Sequence, residues 1–438
     1  MKIKIIYFFS GFILLFNLYF FMIPLGFLVY DLNDAGLANG QIPRFTYRWH
    51  QNISKGFATW AKNRITSKKA LSANTVSSTE WPMFSAAYFL WSTETLQQQW
   101  EKDPSLSAIA PKIYAKSAIK QAVELIIDPN NAAWVKLYWG ENYLYHENVF
   151  YRMLLMAGLT SYQQLTGDTQ YQLLLKKQIN SLAQELDASP YGLLDDYPDA
   201  CYPVDILPAI AIIQRADKLL GMDHSLFIKR SIRAFQEGRL DKETKLPAYI
   251  ADSKTGQALD VARGVGLSYM LIWAPELWAE QSELWYQRYQ KLFWKQGEII
   301  SGVKELATLD LTESWFVEVD SGPVIFGYGT AASAFGIGAA RANNQFEQAY
   351  PLATEALVAA WPLADGTLLI PRLLSNLSDA PYLGETALLF NMTRMPVINK
   401  TQMTKEALPP FVWLFLLFYG LCSILLGIFF IKLLKKAT

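Results

Sequence analysis

Two long uncharged segments lie near opposite ends of this 438-residue chain, and they constrain its fold more than any other feature. The first runs from about Ile5 to Tyr30 and the second from about Pro409 to Ile431. Each is long enough to cross the hydrocarbon core of a bilayer as a helix, which takes roughly 20 apolar residues. We therefore expect two membrane-spanning helices with a large domain between them.

Lysines flank both apolar segments on their outer sides. Lys2 and Lys4 precede the first segment, and Lys432, Lys435 and Lys436 follow the second. The positive-inside bias predicts both termini in the cytoplasm and the middle of the chain in the periplasm or an equivalent extracytoplasmic space. The first segment is longer than the apolar region of a signal peptide and no small-x-small cleavage site follows it, so we interpret it as a retained anchor.

This topology divides the chain into five segments. They are an N-terminal anchor (1–30), a juxtamembrane segment (31–75), an extracytoplasmic domain (76–396), a linker (397–408) and a C-terminal transmembrane helix (409–433). We expect the protein in the inner (plasma) membrane with the bilayer as its partner. A homo-oligomer or an envelope complex is also open.

Composition and missing motifs exclude several classes of protein. Lys plus Arg and Asp plus Glu are both 39, so the net charge is zero and the basic excess of a nucleic-acid binder is absent. Of the two cysteines, Cys201 lies outside the second apolar segment and Cys422 lies inside it, so we expect no disulfide. The sequence has no Walker loop, zinc motif or EF-hand loop, so we expect no metal and no cofactor.

From Glu80 onward, apolar residues recur every three or four positions in segment after segment. This period indicates helices that each bury one face. The breaks between them are short turns at residues 128–131, 166–168, 189–190 and 221–223. We predict an all-α domain, an α/α toroid of helix hairpins, with a small β-hairpin around residues 253–256. A small-residue stretch from Gly327 predicts a helix packed closely against its neighbours.

The first candidate cluster surrounds the histidine at position 146. If this stretch is helical, Tyr143, Glu147 and Tyr151 share one face at four-residue spacing, with His146 beside them. Tyr145 is a further candidate for substrate binding. The alternative is a helix cap with partly exposed polar residues.

The second cluster is the acidic loop from Gly192 to Asp205. It offers Asp196, Asp199 and Cys201 as catalytic candidates and Tyr197 as a substrate-binding candidate. In the alternative interpretation, Asp205 caps the following helix and the other acids are solvated.

The third cluster lies between Asp310 and Gly329. Read as an extended strand, it places Glu318 and Asp320 on one face, as an acid–base pair or the wall of a polar pocket. The alternative is a surface strand. The further substrate-binding candidates are Arg263, Glu313 and Trp315. We predict that the acids of the three clusters surround one central cavity and that Cys201 lies close to His146.

The stretches HENVFYRMLLMAGLTSYQQLTGD and YGLLDDYPDACYPVDILPAIAIIQRADKLLG resemble linalool dehydratase/isomerase-like proteins, which are extracytoplasmic α/α barrels. The resemblance covers about a quarter of the chain. It implies positions in a catalytic pocket for His146 and Cys201. That family has a second active-site cysteine a little upstream of the latter, and this chain has Gly192 and Leu193 near that place.

These observations lead to three functional hypotheses. The first is a membrane-anchored enzyme that uses carboxylate acid–base chemistry, without a cofactor, on an envelope glycan or glycolipid. The second is a lyase or isomerase of the linalool type that acts on a small apolar alcohol. The third is a non-catalytic binding or assembly subunit of the envelope.

Overall fold

The computed structural model describes residues 2–67, 76–308, 315–318, 320–397 and 407–436. Within these ranges the chain is mostly helical, with two small antiparallel sheets. The helices are α1 (Lys2–Asn17), α2 (Ile23–Asp31), α3 (Phe45–Thr66), α4 (Val76–Lys102), α5 (Pro111–Tyr114), α6 (Lys116–Ile127), α7 (Ala133–Trp139), α8 (Val149–Thr166), α9 (Gln172–Ala188), α10 (Pro203–Leu220), α11 (Ser225–Ser231), α12 (Gly264–Leu277), α13 (Ala279–Leu292), α14 (Thr330–Ala342), α15 (Phe346–Ala359), α16 (Leu369–Ser375), α17 (Leu383–Met392) and α18 (Pro410–Lys435).

The two apolar segments are long helices. A π-helical turn (Leu18–Met22) joins α1 to α2, and the resulting helix and α18 are both long and apolar enough to cross a membrane. They pack against each other, and the Asn17 side-chain amide donates a 3.0 Å hydrogen bond to the carbonyl of Ser423. Polar side chains between apolar helices are commonly satisfied in this way.

The turn residues end the helices where the sequence predicts. Gly167 ends α8 in the left-handed conformation, with φ 72°, and its N–H bonds the carbonyl of Gln163. Gly221 ends α10 in the same way, with φ 65°. Glycine adopts this conformation without the steric cost that a Cβ brings, which is why it ends so many helices.

Six helices contact one another in a cyclic order, and we refer to them as the six-helix set. α4 packs against α8, α8 against α10, α10 against α12, α12 against α14, α14 against α17, and α17 against α4. Every residue of α12 from Gly264 to Pro275 is buried, as expected of a helix surrounded on all sides.

A second group of helices covers the six-helix set. α6 contacts α4 and α8, α9 contacts α8 and α10, α13 contacts α12, α15 contacts α14, and α16 contacts α17. α3 contacts α6 and α17, so the helical body takes in residues that the sequence assigns to the juxtamembrane segment. α9 and α13 bury only one face, which accounts for their three- and four-residue apolar spacing.

The six helices run in the same direction. Residues near their carboxyl ends line one cavity of about 620 Å³, among them Glu94, Gln164, Arg215, Glu276, Ala342 and, just after α17, Arg394. At their amino ends, Glu80 of α4 and Asp205 of α10 interact electrostatically with each other and with Asp320. We call the first the arginine end, defined by Arg215 and Arg394, and the second the acidic end, defined by Glu80, Asp205 and Asp320.

Aromatic side chains fill the space between the two ends. Tyr88 of α4 lies 5.1 Å from Phe390 of α17, measured between ring centroids, and Trp91 lies 4.8 Å from Trp273 of α12. Further contacts join Tyr269 to Phe335 and Trp273 to Phe390. Aromatic rings bury large apolar areas, so this core stabilises the six-helix set.

The β structure lies at the acidic end. β1 (Trp294–Gln296) pairs with β2 (Ser301–Val303), and β3 (Phe316–Glu318), β4 (Gly322–Ile325) and β5 (Tyr328–Gly329) form a three-stranded sheet that leads into α14. The extended conformation predicted between Asp310 and Gly329 is confirmed for β3, β4 and β5, but Asp320 lies in the turn between β3 and β4 rather than on a strand face beside Glu318. Around residues 253–256 the chain turns back on itself, but through an isolated bridge between Ala251 and Ala258 rather than through paired strands.

The small-residue helix α14 packs closely against its neighbours, as predicted. A Cβ atom built on Gly336 meets the side chain of Val303 at 2.9 Å, which is closer than real Cβ contacts. A larger residue at this position therefore forces β2 away from α14.

Candidate active site at the acidic end

Three carboxyl groups from three separate elements form the acidic end. Glu80 lies in the second turn of α4, Asp205 in the first turn of α10, and Asp320 in the turn between β3 and β4. Burial and the charges of Asp205 and Asp320 raise the pKa of Glu80 to about 8. Burial and the charge of Asp320 raise the pKa of Asp205 to about 8. Near neutral pH, these two groups therefore retain protons that ordinary carboxylic acids release.

Asp320 has partners that favour its ionised form. Its carboxylate accepts a 2.8 Å hydrogen bond from the hydroxyl of Tyr249, and the guanidinium of Arg263 is nearby. Burial raises the pKa of Asp320, while the Tyr249 hydrogen bond and the charge of Arg263 oppose that rise. Because no such opposing partner acts on Asp205 among the residues that the structure describes, Asp320 releases its proton more readily than Asp205 does.

Arg263 is a cation whose charge acts on Asp320. Its guanidinium pairs with Glu318 and, at 2.9 Å, with Asp260. It also lies over the ring of Tyr249, 4.9 Å from the centroid. Arg263 therefore holds Glu318 and Tyr249 in place beside Asp320.

A row of aromatic side chains leads from the surface to the carboxyl groups. Ring centroids are 5.7 Å apart from Tyr138 to Tyr197, 6.5 Å from Tyr197 to Tyr202 and 5.6 Å from Tyr202 to Tyr249. Tyr138 is exposed and Tyr249 is buried. Burial and nearby carboxylates, Asp320 first, raise the pKa of Tyr202 to about 12, so its hydroxyl is a proton donor rather than a base.

Asp196 connects the acidic end to the chain around it. Its two carboxylate oxygens accept hydrogen bonds from the backbone N–H groups of Phe150, at 2.6 Å, and Tyr202, at 2.9 Å. Burial and the charge of Asp205 raise the pKa of Asp196, and these two hydrogen bonds oppose the rise. Asp196 thereby joins the start of α8 to the start of α10, which positions Asp205.

The structure corrects the helical interpretation of the first candidate cluster. α8 begins at Val149, and Glu147 and Asn148 have φ values of 41° and 51°, outside the helical region. Tyr143, Glu147 and Tyr151 therefore do not form one helical face, although the rings of Tyr143 and Tyr151 are in contact at 5.6 Å.

The members of this cluster lie in different environments. His146 is exposed, with its ring against Trp139, and Tyr145 is exposed as well. Glu147 is half-buried, and its backbone N–H donates to Glu185 at 2.9 Å. Burial and the charge of Asp195 raise the pKa of Glu147. None of these three contacts the acidic end in the described part of the chain.

The acidic loop contributes less to the cluster than the sequence predicts. Asp199 is exposed and pairs with Lys254 at 2.6 Å, so the prediction that it lines a central cavity is wrong. Cys201 is fully buried, and its carbonyl accepts a hydrogen bond from the backbone of Ala251. Burial raises the pKa of the Cys201 thiol, which disfavours the thiolate form that a nucleophile needs.

The third candidate cluster lies at the acidic end. Asp320 belongs to the acidic end, and Glu318 is connected to it by its ion pair with Arg263. Trp315 is exposed, and its ring contacts that of Phe326, with 4.7 Å between the ring centroids. Glu313 lies outside the described residues. Tyr197 belongs to the aromatic row described above.

Glu80 and Asp205 are site residues that the sequence did not identify. Each lies in the first turns of a strongly apolar helix, where an acid is usually a favourable partner of the helix dipole. The sequence signal that could have identified them is a single acid among apolar residues, Glu80 in EWPMFSAAYF and Asp205 in PVDILPAIAII. Buried charges are rare unless they are paired or functional, so such positions are candidates.

Among the residues that the structure describes, no group of three His, Cys, Asp or Glu side chains is placed to hold a metal ion. The arrangement at the acidic end can instead accept and donate protons, since it combines carboxyl groups of different proton affinity. No protein-family model matches the chain, and a comparison with curated proteins gives no match.

Proposed function

We propose that the chain is a membrane-anchored, extracytoplasmic enzyme that uses carboxylate acid–base chemistry on an envelope glycan or glycolipid. The two long apolar helices provide the anchors, and the lysines outside them predict cytoplasmic termini. The observation that carries the proposal is the convergence of Glu80, Asp205 and Asp320 from distant parts of the chain.

An α/α toroid accounts for this convergence. The cyclic contacts of the six-helix set and the second layer of helices around it support this architecture. In such an arrangement, the amino ends of parallel inner helices surround one opening. Acids at the first turns of different helices then meet there, although they are far apart in sequence.

Each carboxyl group has a role that follows from its surroundings. Asp320, stabilised as a carboxylate by Tyr249 and Arg263, is the candidate general base. Glu80 and Asp205, which hold protons near pH 7, are the candidate general acids. Such a division between neighbouring carboxyl groups is what acid–base catalysis at neutral pH requires.

The aromatic row favours a carbohydrate. Sugar rings present apolar C–H faces that stack on aromatic side chains, and Tyr197, Tyr202 and Tyr249 offer consecutive rings beside the acids. A linalool-type reaction has less support, because it assigns His146 and Cys201 to one pocket. His146 is exposed, whereas Cys201 is buried with a raised thiol pKa.

The test uses the full-length protein in lipid nanodiscs, incubated with bacterial envelope glycans, glycolipids and terpenoid alcohols, with products identified by mass spectrometry. We expect a glycan or glycolipid product whose kcat/KM falls roughly 10²–10⁴-fold in Asp205→Asn and in Asp320→Asn. Asp199→Asn is the matched control. It makes the same chemical change in the exposed pair with Lys254, and we expect full activity.

Unchanged activity in both acidic-end variants would contradict the catalytic assignment. Turnover of a terpenoid alcohol alone would favour the linalool-type reaction. Binding of a glycan by the wild type without any turnover would favour a non-catalytic subunit.

A further inference from the structure

Large apolar side chains are exposed around the acidic end. Six of them form what we call the apolar rim: Trp315, Val317, Phe326, Leu373, Leu374 and Leu377. Val317 is 81% exposed and Leu377 is 88% exposed. A cluster of large apolar side chains in contact with water is unusual for the surface of a soluble domain, and it commonly indicates a membrane or a binding partner.

The chain path places the rim at the acidic end. Val317 lies in β3, Trp315 directly precedes it, and Phe326 lies in the turn between β4 and β5. This sheet, with Asp320 in its β3–β4 turn, leads into the first turn of α14. Leu373, Leu374 and Leu377 lie in or just after α16, the segment that leads into α17. Both α14 and α17 begin at the acidic end, as the cavity at their opposite ends requires.

The two long apolar helices contact the domain at this same end. The indole of Trp361 donates to the carbonyl of Phe20 at 2.8 Å, and the hydroxyl of Tyr419 donates to the carbonyl of Val358 at 3.2 Å. The hydroxyl of Tyr19 also donates to Asp365 at 2.8 Å. Residues 358–365 connect the end of α15 to α16, so they lie beside the rim.

The lengths of the helices fix how deep these contacts lie in a bilayer. Tyr419 lies about 20 Å along α18 from Lys432, at 1.5 Å per residue. Tyr19 lies about 22 Å from Lys4 along the N-terminal helix. A hydrocarbon core about 30 Å thick, measured from these lysines, therefore extends about 10 Å past the contact of Tyr419 and about 8 Å past that of Tyr19, toward the domain. The two helices, measured separately, agree within about 2 Å.

We propose that the apolar rim is inserted into the membrane leaflet next to the domain, so that the acidic end opens toward the lipid headgroups. The partner of this surface is the bilayer itself. The substrate class follows if the proposed function holds: a molecule carried by a lipid, which reaches Asp320 and Asp205 from the membrane plane rather than from bulk water.

Site-directed fluorescence in vesicles tests this insertion. Single cysteines replace Val317 or Leu377 in the full-length Cys422→Ser chain, where the remaining Cys201 is fully buried, and each carries an environment-sensitive NBD label. Leu226→Cys is the matched control, because Leu226 is 71% exposed at the start of α11, on the side of the arginine end. The vesicles contain phosphatidylcholine and phosphatidylglycerol, with or without a lipid that carries a quencher near its headgroup.

We expect blue-shifted emission for the labels at 317 and 377 and at least threefold stronger quenching by the labelled lipid than for the label at 226. Equal, weak quenching at all three positions overturns the proposal. A blue shift without lipid quenching, which disappears at low protein-to-lipid ratio, also overturns it and indicates a contact between copies of the chain.

The outcome is independent of catalysis. If the rim labels are quenched but Asp205→Asn and Asp320→Asn keep full activity, the membrane contact stands and the proposed function fails. If those variants are inactive and the labels are not quenched, the reverse holds. Where both stand, we expect at least tenfold higher kcat/KM for a lipid-linked substrate in the same bilayer than for its water-soluble headgroup.

Discussion

The acidic end and the arginine end of the six-helix set carry ionisable groups of opposite type, carboxyl groups at one and guanidinium groups at the other, and they are organised differently. Arg215 forms two hydrogen bonds with Glu276 and stacks on Trp273, with its guanidinium 4.8 Å from the ring centroid. Arg394 stacks on Phe390 and donates to Thr95 at 2.8 Å. At the acidic end, Glu80 and Asp205 have no cation in contact within the described part of the chain.

The helix dipole accounts for the sign of the charges at both ends. Amino ends of helices favour acids and carboxyl ends favour cations. It does not account for placing several acids together at one end, since like charges raise the free energy of the folded state. The arginine end is therefore arranged for stability, whereas the acidic end keeps carboxyl groups whose pKa is raised by burial and because they lie close together, as functional sites commonly do.

The largest expected effect on stability tests this contrast directly. Arg215→Met leaves Glu276 without its partner in a partly buried position, so we expect the free energy of unfolding to fall by about 2–3 kcal/mol. Asp205→Asn should leave it unchanged or raise it. Thermal unfolding in nanodiscs followed by circular dichroism measures both, and Lys218→Met, an exposed position one turn after Arg215, is the control. Equal destabilisation by Arg215→Met and Asp205→Asn would remove the distinction between the ends.

The pH dependence of stability gives the next largest effect. The folded pKa of Asp205, about 8, lies above an unfolded value of about 4. The protonated form is favoured in the folded state, so this contribution is complete below pH 4 and is lost as the pH rises toward 8. We therefore expect Asp205→Asn to become increasingly more stable than the wild type between pH 5 and 8, by up to about 1 kcal/mol per pH unit.

Asp187 offers a control of opposite sign. Its hydrogen bond with Arg230 lowers its pKa, so its contribution is already complete at pH 5. Asp187→Asn should be less stable than the wild type by an amount that stays constant from pH 5 to 8. If the Asp205→Asn difference also stays constant, Asp205 is ionised throughout and cannot be a general acid.

A smaller effect concerns the hydrogen bond that separates Asp320 from the other acids. Tyr249→Phe removes the donor to Asp320, so we expect the acidic limb of the pH–rate profile to move to higher pH and kcat to fall about tenfold. Tyr145→Phe, in an exposed tyrosine, should leave the profile in place. If kcat falls tenfold but the acidic limb of the pH–rate profile does not move, Tyr249 contacts the substrate and does not set the pKa of Asp320.

The smallest effect is expected at the surface of the acidic loop. Asp199 and Lys254 are both largely exposed, so solvent screens their attraction. Asp199→Asn should not change the unfolding midpoint measurably in 150 mM salt. A clear decrease would mean that the loop, and not only the cluster of carboxyl groups, holds the acidic end together.

Local pattern determines much of this fold and therefore could be predicted. The three- and four-residue spacing of apolar residues predicted the helices, and Gly167 and Gly221 predicted where two of them end. A residue in the left-handed conformation stops a helix whatever surrounds it. The start of α8 could not be read in the same way. It depends on Asp196, which bonds the N–H of Phe150 from 46 residues further along the chain.

The candidate site depends even more on distant contacts. Glu80 and Asp205 are separated by a large part of the domain, and each alone resembles an ordinary acid near the start of a helix. Only the cyclic packing of the six helices brings them to Asp320. The acids that the sequence made most conspicuous, such as Asp199 in its acid-rich loop, instead include surface groups.

The aromatic core between the two ends would limit how a polymeric substrate could bind. Tyr88, Trp91, Trp273 and Phe390 pack together between the acidic end and the arginine end. If the proposed function holds, a saccharide bound beside Asp320 therefore cannot pass through the six-helix set. It must enter and leave from the side of the acidic end, which suits the tips of short saccharides and disfavours the interior of long ones.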